Sequence, residues 1–283
     1  MTAPHNIQSL LDGIVTLPSV PSTLARITSL VQEPDVSLSQ VGRVIATDPA
    51  IALKTLRLVN SAFYGVRQKV TSVEHAVTLL GIKVIQNLVL TATVFDTFHK
   101  GADQLFRHSV ACGIAMRAVV ESSKAELGVK PDDAFVFGLL HDVGKIILEE
   151  FLPEEYSNAV QLSCTREVPS WQVEREVIGV DHAELGARLA ENWKLPELLV
   201  GAITGHHDLD QCADDDARAS AASLSVANFL CSACGLGGMA RPILWVDENV
   251  WSITQTSSAQ VLPLVDRFVQ ELPTVEELIK VAA

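Results

Sequence analysis

Apolar residues recur along this chain at helical rather than strand spacing. Ile51, Leu53, Leu56 and Val59 follow Asp48-Pro49, where an Asp can cap a helix and a Pro fits the first turn because its missing N–H costs nothing there. Gly65 closes that unit. Thr71 and Glu74 have the spacing of a capping box. Gly81 punctuates, and Ile85, Leu88, Val89, Ala92 and Phe95 then form a core-facing stripe. The polar stretch His99-Lys100-Gly101 reads as a hinge and sets the expected division: an N-terminal helical subdomain over 1–100 and a second helical domain over 101–283. The second half predicts helices over 106–120, 132–150, 182–193 and 196–207. Pro131, Asp132 and Asp133 mark the start of the second of these. Ala183, Gly186, Ala187 and Ala190 put small residues on one helical face, where another helix can come close. The stripe of Val261, Leu264, Val265 and Phe268 predicts closing helices at the C-terminal end. The fold class is all-α.

Composition agrees with that pattern. Of the 283 residues, 48% are hydrophobic but only 5% aromatic, a mix that favours packed helices over sheets rich in aromatic and β-branched residues. The formal net charge of −13 repels phosphate backbones, which argues against general nucleic-acid binding. It does not oppose an anionic ligand held through a metal, since a bound cation dominates its own surroundings.

Residues 1–10 lack the basic and apolar regions of a signal peptide. Five cysteines, an odd number without disulfide-like spacing, point to a reducing compartment and hence the cytoplasm. The pair Cys231-x-x-Cys234 has no second pair to complete a structural zinc site. The stretch between Arg218 and Arg241 carries no charge, but its serines, Asn228 and glycines read as a buried helix running into a loop rather than a membrane span.

The candidate chemistry lies in the histidines. Five of the eight fall between 108 and 207: His108, His141, His182, His206 and His207. Imidazoles and carboxylates are the ligands that suit Fe, Mn, Ni or Zn, and ligands from different helices can converge in a bundle core. His141-Asp142 sits in an apolar run from Phe135 to Leu148. A polar dyad there needs a partner, either a metal or a mutual hydrogen bond that serves the fold. Lys145, one turn after His141, can face the same pocket and hold a phosphate or protonate a leaving oxygen. His5, His75 and His99 carry no such signal.

His141-Asp142-Val143-Gly144-Lys145 resembles the HD-x-G-K signature of the HD phosphohydrolase superfamily. Other segments resemble its HDOD branch: Leu17-Pro18-x-x-Pro21, Ile45-x-x-Asp48-Pro49-Ala50, Leu58-Val59-Asn60-Ser61-Ala62-x-Tyr64-Gly65, Ala76-x-x-Leu79-Leu80-Gly81, Asp181-His182-Ala183-Glu184-x-Gly186-Ala187 and Trp193-x-x-Pro196. The resemblance implies an all-helical HDOD fold and two metal sites. His108, His141, Asp142 and Asn228 would correspond to the first. His182, His206 and His207, with Asp142 bridging, would form the second. Asp142 and Lys145 would be the catalytic pair. Three departures accompany it. Asn228 stands where active enzymes carry Asp, Gln104 stands where the HD-GYP branch has Glu, and no GYP motif follows His207, so cyclic-dinucleotide hydrolysis is not implied.

Three readings stand at this point: a signal-transduction protein with a bound divalent metal at a degenerate site, an active metal-dependent phosphohydrolase acting on a nucleotide or other phosphoester, and a metal-free scaffold. The expected partner is a signalling protein or a phosphorylated small molecule, without a membrane.

Overall fold

The computed structural model of the protein describes residues 22–31, 33, 35–98, 103–238 and 246–282. The Leu17-Pro18-x-x-Pro21 motif, the N-terminal stretch read for a signal peptide, the His99-Lys100-Gly101 hinge, His5 and the side chain of Phe95 lie outside the described residues. Among the described residues the regular elements are all helical. They are α1 (Ser22–Val31), α2 (Leu38–Ala46), α3 (Pro49–Val59), a 3-10 turn (Ala62–Tyr64), α4 (Val73–Phe98), α5 (Asp103–Ser122), α6 (Pro131–Leu140), α7 (Val143–Phe151), α8 (Pro153–Arg166), α9 (Ser170–Val177), α10 (His182–Asn192), α11 (Glu197–Gly205), a second 3-10 turn (Leu209–Gln211), α12 (Asp215–Ala233), α13 (Glu248–Ile253), α14 (Ser258–Gln270) and α15 (Leu272–Ala282).

These helices form two compact units, one from Pro18–Gly101 with Leu272–Ala283, the other from Ala102–Glu271. The expected second domain, 101–283, therefore loses its last helix. The stripe at Val261, Leu264, Val265 and Phe268 does close the second unit as α14, with Leu264 and Phe268 buried. α15, in contrast, packs on α3 and α4 of the first unit. Its apolar periodicity announces a buried face without saying which unit covers it.

The first unit is built from local signals. Asp48 caps α3 by accepting from the N–H groups of Ala50 and Ile51, and its other oxygen accepts from the Thr23 hydroxyl on α1. Asn60 braces the end of α3 through its side chain. Its amide donates to Val70 O and its carbonyl accepts from Val70 N–H, both at 2.8 Å, which ties the loop after α3 back to the helix end. The helix-start signal near Thr71 is off by one residue: Ser72 Oγ accepts from His75 N–H. Gly81, with φ +84°, bends α4, and a side chain there would be strained. Val73–Thr93 is long and apolar enough to cross a membrane, but half of its apolar window is buried within the protein and the bend interrupts its helix. It therefore reads as a core helix.

In the second unit the expected helix over 132–150 is two helices. α6 ends at Leu140 with His141 as its C-cap, and α7 starts at Val143 with Asp142 as its N-cap. No Pro announces the break, and the two glycines that flank it, Gly138 and Gly144, lie inside the helices on either side. An N-cap Asp ordinarily accepts from the following N–H groups, yet Asp142 makes no such bond, because its carboxylate is engaged elsewhere. The apolar run on α6 is buried all round, from Ala134 to Leu140, as expected of a central helix. The small face of α10 is buried at Ala183, Gly186, Ala187 and Ala190. The uncharged stretch after Arg218 is the mostly buried α12.

Candidate metal centre

Helix ends and close backbone crossings assemble the site. A Cβ built on Gly138 would lie 2.3 Å from Cys112 O, so α5 and α6 meet backbone to backbone. That crossing brings the ring of His108, on α5, within 5.1 Å of the ring of His141. A Cβ built on Gly144 would lie 1.9 Å from His182 O, so α7 and the start of α10 also touch. Asp142 and His182 thereby meet. His206 and His207 follow α11 directly, their rings 4.0 Å apart.

Asp142 is the hub. Its Oδ2 lies 2.7 Å from Lys145 Nζ and 3.4 Å from the Nε2 atoms of both His108 and His141. Its Oδ1 lies 3.2 Å from His182 Nε2 and 3.9 Å from His206 Nε2. His182 Nε2 is in turn 2.9 Å from His207 Nε2. His108, His141, Asp142, His182 and His206 are buried, while His207 is half-buried. The donor atoms form two groups, His108/His141/Asp142 and Asp142/His182/His206/His207, each within 4.8 Å of one another and sharing Asp142. Every histidine singled out at the centre, together with Asp142 and Lys145, is thus gathered at one place.

The other ring nitrogens decide the chemistry. His141 Nδ1 is 2.7 Å from Gly138 O and His206 Nδ1 is 2.6 Å from Ile203 O. Both residues are helix C-caps, and each satisfies a carbonyl three residues back that the helix end leaves unpaired. His108 Nδ1 meets Leu236 O at 2.7 Å, and His182 Nδ1 meets Glu174 Oε2 at 2.6 Å. A carbonyl or carboxylate oxygen only accepts, so each Nδ1 must be the protonated nitrogen. Four Nε2 atoms are then left facing inward at Asp142. His206 Nε2 and Asp142 Oδ1 have no hydrogen-bond partner although both are buried. Acceptors converging on acceptors call for a cation.

Without a metal, protons serve part of that need. Burial would raise the Asp142 carboxyl, but the charges of His141 and Lys145 hold it well below the usual carboxylate range. Burial opposes charge on His141, yet the Asp142 carboxylate beside it pushes it up to about 9. His182 is also raised, its burial outweighed by Glu174. His206 and His207 are held well below the ordinary histidine value by burial and by the neighbouring imidazoles. Neutral imidazoles and an ionised carboxylate are the forms that ligate a transition metal, and the residues present fit one.

The sequence missed two contributors. Glu174, on α9, is fully buried and accepts from both the backbone N–H and the ring of His182. Trp171, on the same face of α9, stacks on the His207 ring at 6.1 Å and 13°. Nothing in Ser170-Trp171-Gln172-Val173-Glu174-Arg175-Glu176 separates Glu174 from Glu176, which is surface-exposed and paired with Arg166. Gln104 is exposed at the start of α5, and His75 is exposed in the first unit. Asn228 is half-buried on α12, one turn after Ser225, whose hydroxyl donates to His206 O at 2.6 Å.

Comparison with known proteins bears on the family. The HDOD domain pattern matches residues 17–209. The chain belongs to the HDOD family. A Treponema pallidum (strain Nichols) protein of uncharacterised function is 28% identical over 228 residues, 76% of this chain and 44% of that protein, so this HDOD chain spans under half the length of that relative. An HDOD domain protein of unknown function from Geobacter sulfurreducens has a similar structure, with TM-score 0.77, 25% identity and coverage of 95% of this chain and 97% of that one. A Shewanella amazonensis SB2B protein, provisionally described as a phosphohydrolase, shares the fold with TM-score 0.74 at 21% identity, over 97% and 98% of the two chains. The all-helical HDOD architecture expected from the motifs is therefore the observed one.

Proposed function

We propose that this HDOD chain is a signal-transduction protein of the cytoplasm whose HD centre holds a divalent metal at a degenerate hydrolase site. The observation that carries the metal is the inward convergence of four imidazole Nε2 atoms on a buried Asp142 with an unpartnered oxygen. His108, His141 and Asp142 would hold one ion, and Asp142, His182, His206 and His207 a second. Fe, Mn, Ni or Zn suits these donors. The metal would supply Lewis acidity and a water activated near neutral pH.

The chain's own residues divide the remaining work. Asp142 balances charge for both groups. Lys145, its ammonium on Asp142 Oδ2, is placed to bind a phosphoryl oxygen or protonate a leaving oxygen. Degeneracy rests on Asn228, an amide in the position of a carboxylate ligand, on Gln104, and on the absent GYP motif. An amide oxygen is a neutral and weaker ligand. Regulation through a protein partner or a phosphorylated small molecule follows more naturally than efficient turnover. The second reading, an active phosphohydrolase on a nucleotide or other phosphoester, is favoured by Lys145 and by the full histidine set.

Elemental analysis of the purified chain, beside a His141→Ala, Asp142→Ala double variant checked for helicity by circular dichroism, tests the metal. Stoichiometric metal in the parent and loss in a folded variant support the proposal. A parent that stays metal-free after reconstitution sinks it. A phosphodiester and phosphomonoester screen of the loaded protein then separates the two readings: turnover favours the enzyme, and binding without turnover favours the signalling module.

A further inference from the structure

We infer that Glu174 is a positioning residue for the second histidine set, fixing His182 with its Nε2 turned toward Asp142 and strengthening that nitrogen as a donor to a cation. The inference rests on the metal reading above and deepens it.

The contacts of Glu174 are unusual for a buried carboxylate. It is 0% exposed, and both of its hydrogen bonds go to one residue: Oε2 accepts from His182 Nδ1–H at 2.6 Å and from His182 N–H at 2.9 Å. Its Oε1 is buried with no partner. A buried carboxylate kept only for stability is ordinarily matched by a cation or by several donors, because desolvation is costly. Here all the interaction is spent on the orientation of one imidazole. The opposite nitrogen of that ring points at Asp142 Oδ1 and His207 Nε2. A carboxylate on the far nitrogen of a ligand histidine locks the tautomer and raises the basicity of the nitrogen that binds.

The rest of the α9 face supports the same arrangement. Trp171 and Glu174 are three residues apart and Arg175 is next, so all three share one side of the helix. Trp171 stacks on His207. Arg175 lies over the Trp171 ring at 5.3 Å and bonds Asp181 Oδ2 at 2.6 Å. Asp181 is the N-cap of α10, accepting from Glu184 N–H. α9 thus holds the rings of both His182 and His207 and the cap beneath His182. Of the other imidazoles, His108, His141 and His206 are anchored on backbone carbonyls. His182 alone among these four is anchored on a side chain, so a point substitution can release it.

The competing role is that of a helix cap, since Glu174 also accepts from the first N–H of α10. Glu174→Gln separates the two. A Gln keeps the length and an acceptor oxygen for both bonds, so a capping role survives, but the charge on the far nitrogen is lost. The full chain, stripped of metal, is titrated with Co2+ in the parent, Glu174→Gln and Glu174→Ala, following the visible absorption of the bound ion and the unfolding midpoint of the metal-free protein. The expected result is a ten- to hundred-fold weaker Co2+ affinity at the Asp142/His182/His206/His207 group for Glu174→Gln, with a shifted absorption band and an unfolding midpoint within a few degrees of the parent. Unchanged affinity and spectrum in folded Glu174→Gln overturn the inference and leave Glu174 a cap. A parent that binds no Co2+ overturns the metal reading itself, and this one with it. Should Glu174→Gln not fold, 15N NMR of the parent's histidine rings decides: protonated Nδ1 on His182 is expected, and protonated Nε2 with bare Nδ1 overturns the inference.

Discussion

Gly144 and Gly186 face each other across the same crossing of α7 and α10, yet substitution by Ala should have very different effects. A Cβ on Gly144 would lie 1.9 Å from His182 O, 2.8 Å from His182 C and 2.7 Å from Gly186 N. All three are backbone atoms, so no rotamer change relieves the clash and one helix must move. A Cβ on Gly186 would meet Gly144 N at 3.2 Å and the methyls of Ile203 and Val143 at 3.3 Å, overlaps that shifts of a few tenths of an ångström absorb. Overpacking a core costs about 1–3 kcal/mol where side chains can adjust, and the Gly144 clash with fixed backbone belongs at or above the top of that range. Ala in place of helical Gly returns up to about 1 kcal/mol. Gly144→Ala should therefore destabilise by about 3 kcal/mol or more, upwards of a hundred-fold in the folding equilibrium, and Gly186→Ala by about 1 kcal/mol or less. Urea unfolding followed by tryptophan fluorescence reads the relevant unit, because Trp171, Trp193 and Trp251 fall within Ala102–Glu271. Gly144→Ala should also lose metal, since moving α7 off α10 separates Asp142 from His182. A Gly144→Ala protein within about 0.5 kcal/mol of the parent, or less affected than Gly186→Ala, would refute the reasoning.

Three further outcomes are expected. Asn228→Asp should tighten metal binding at the His108/His141/Asp142 group and raise any phosphodiesterase activity; a revertant that binds no more metal than the parent, by competition with a chelator, displaces Asn228 from that group. Lys145→Met removes the ammonium 2.7 Å from Asp142 Oδ2 and should lower the stability of the metal-free protein by about 1–3 kcal/mol while leaving the metal-loaded protein closer to its parent; equal losses in thermal scans with and without Mn2+ would contradict this. Glu121 is only partly desolvated, which raises its carboxyl, but pairing with Arg117 and Arg267 lowers it below its ordinary 4.5. Its stabilising contribution is present above that value and fades as pH falls through the lowered one, so Arg267→Ala should lower stability slightly at neutral pH, as expected of an exposed pair, and leave it unchanged in strong acid, flattening the acid limb below about pH 4.5; identical acid limbs would exclude the pairing.

Much of the fold is legible in the chain because its signals are local. Asp48-Pro49, Pro131-Asp132-Asp133 and the stripe through Leu264 and Phe268 each announce a helix by chemistry confined to one or two turns, and the helices stand there. What local signals cannot give is where a helix packs or where a buried one breaks. α15 shows the first case: an amphipathic stripe is the same whichever unit covers it. His141-Asp142 shows the second. By composition the run from Phe135 to Leu148 is continuous, and it parts because the Asp142 carboxylate turns away from its cap position toward the histidines.

The site divides along the same line. The candidate ligand side chains can be named from sequence because few residue types donate to a metal and five imidazoles are in excess of what a helical core needs. Their competence depends on the nitrogen that faces away, and that is fixed mostly by backbone. His141 and His206 each end a helix and each return Nδ1–H to the carbonyl three residues before, so the unpaired carbonyls at two helix ends select the tautomer that presents Nε2 to Asp142. A histidine at a helix C-terminus with a ligand role is thus partly readable, since the same bond that caps the helix aims the ring. His182 opens its helix instead, has no preceding turn to donate to, and takes its anchor from Glu174, a residue eight positions earlier. That is why the sequence hid Glu174, and why, of the four anchored rings, His182 has the orientation most exposed to a single substitution.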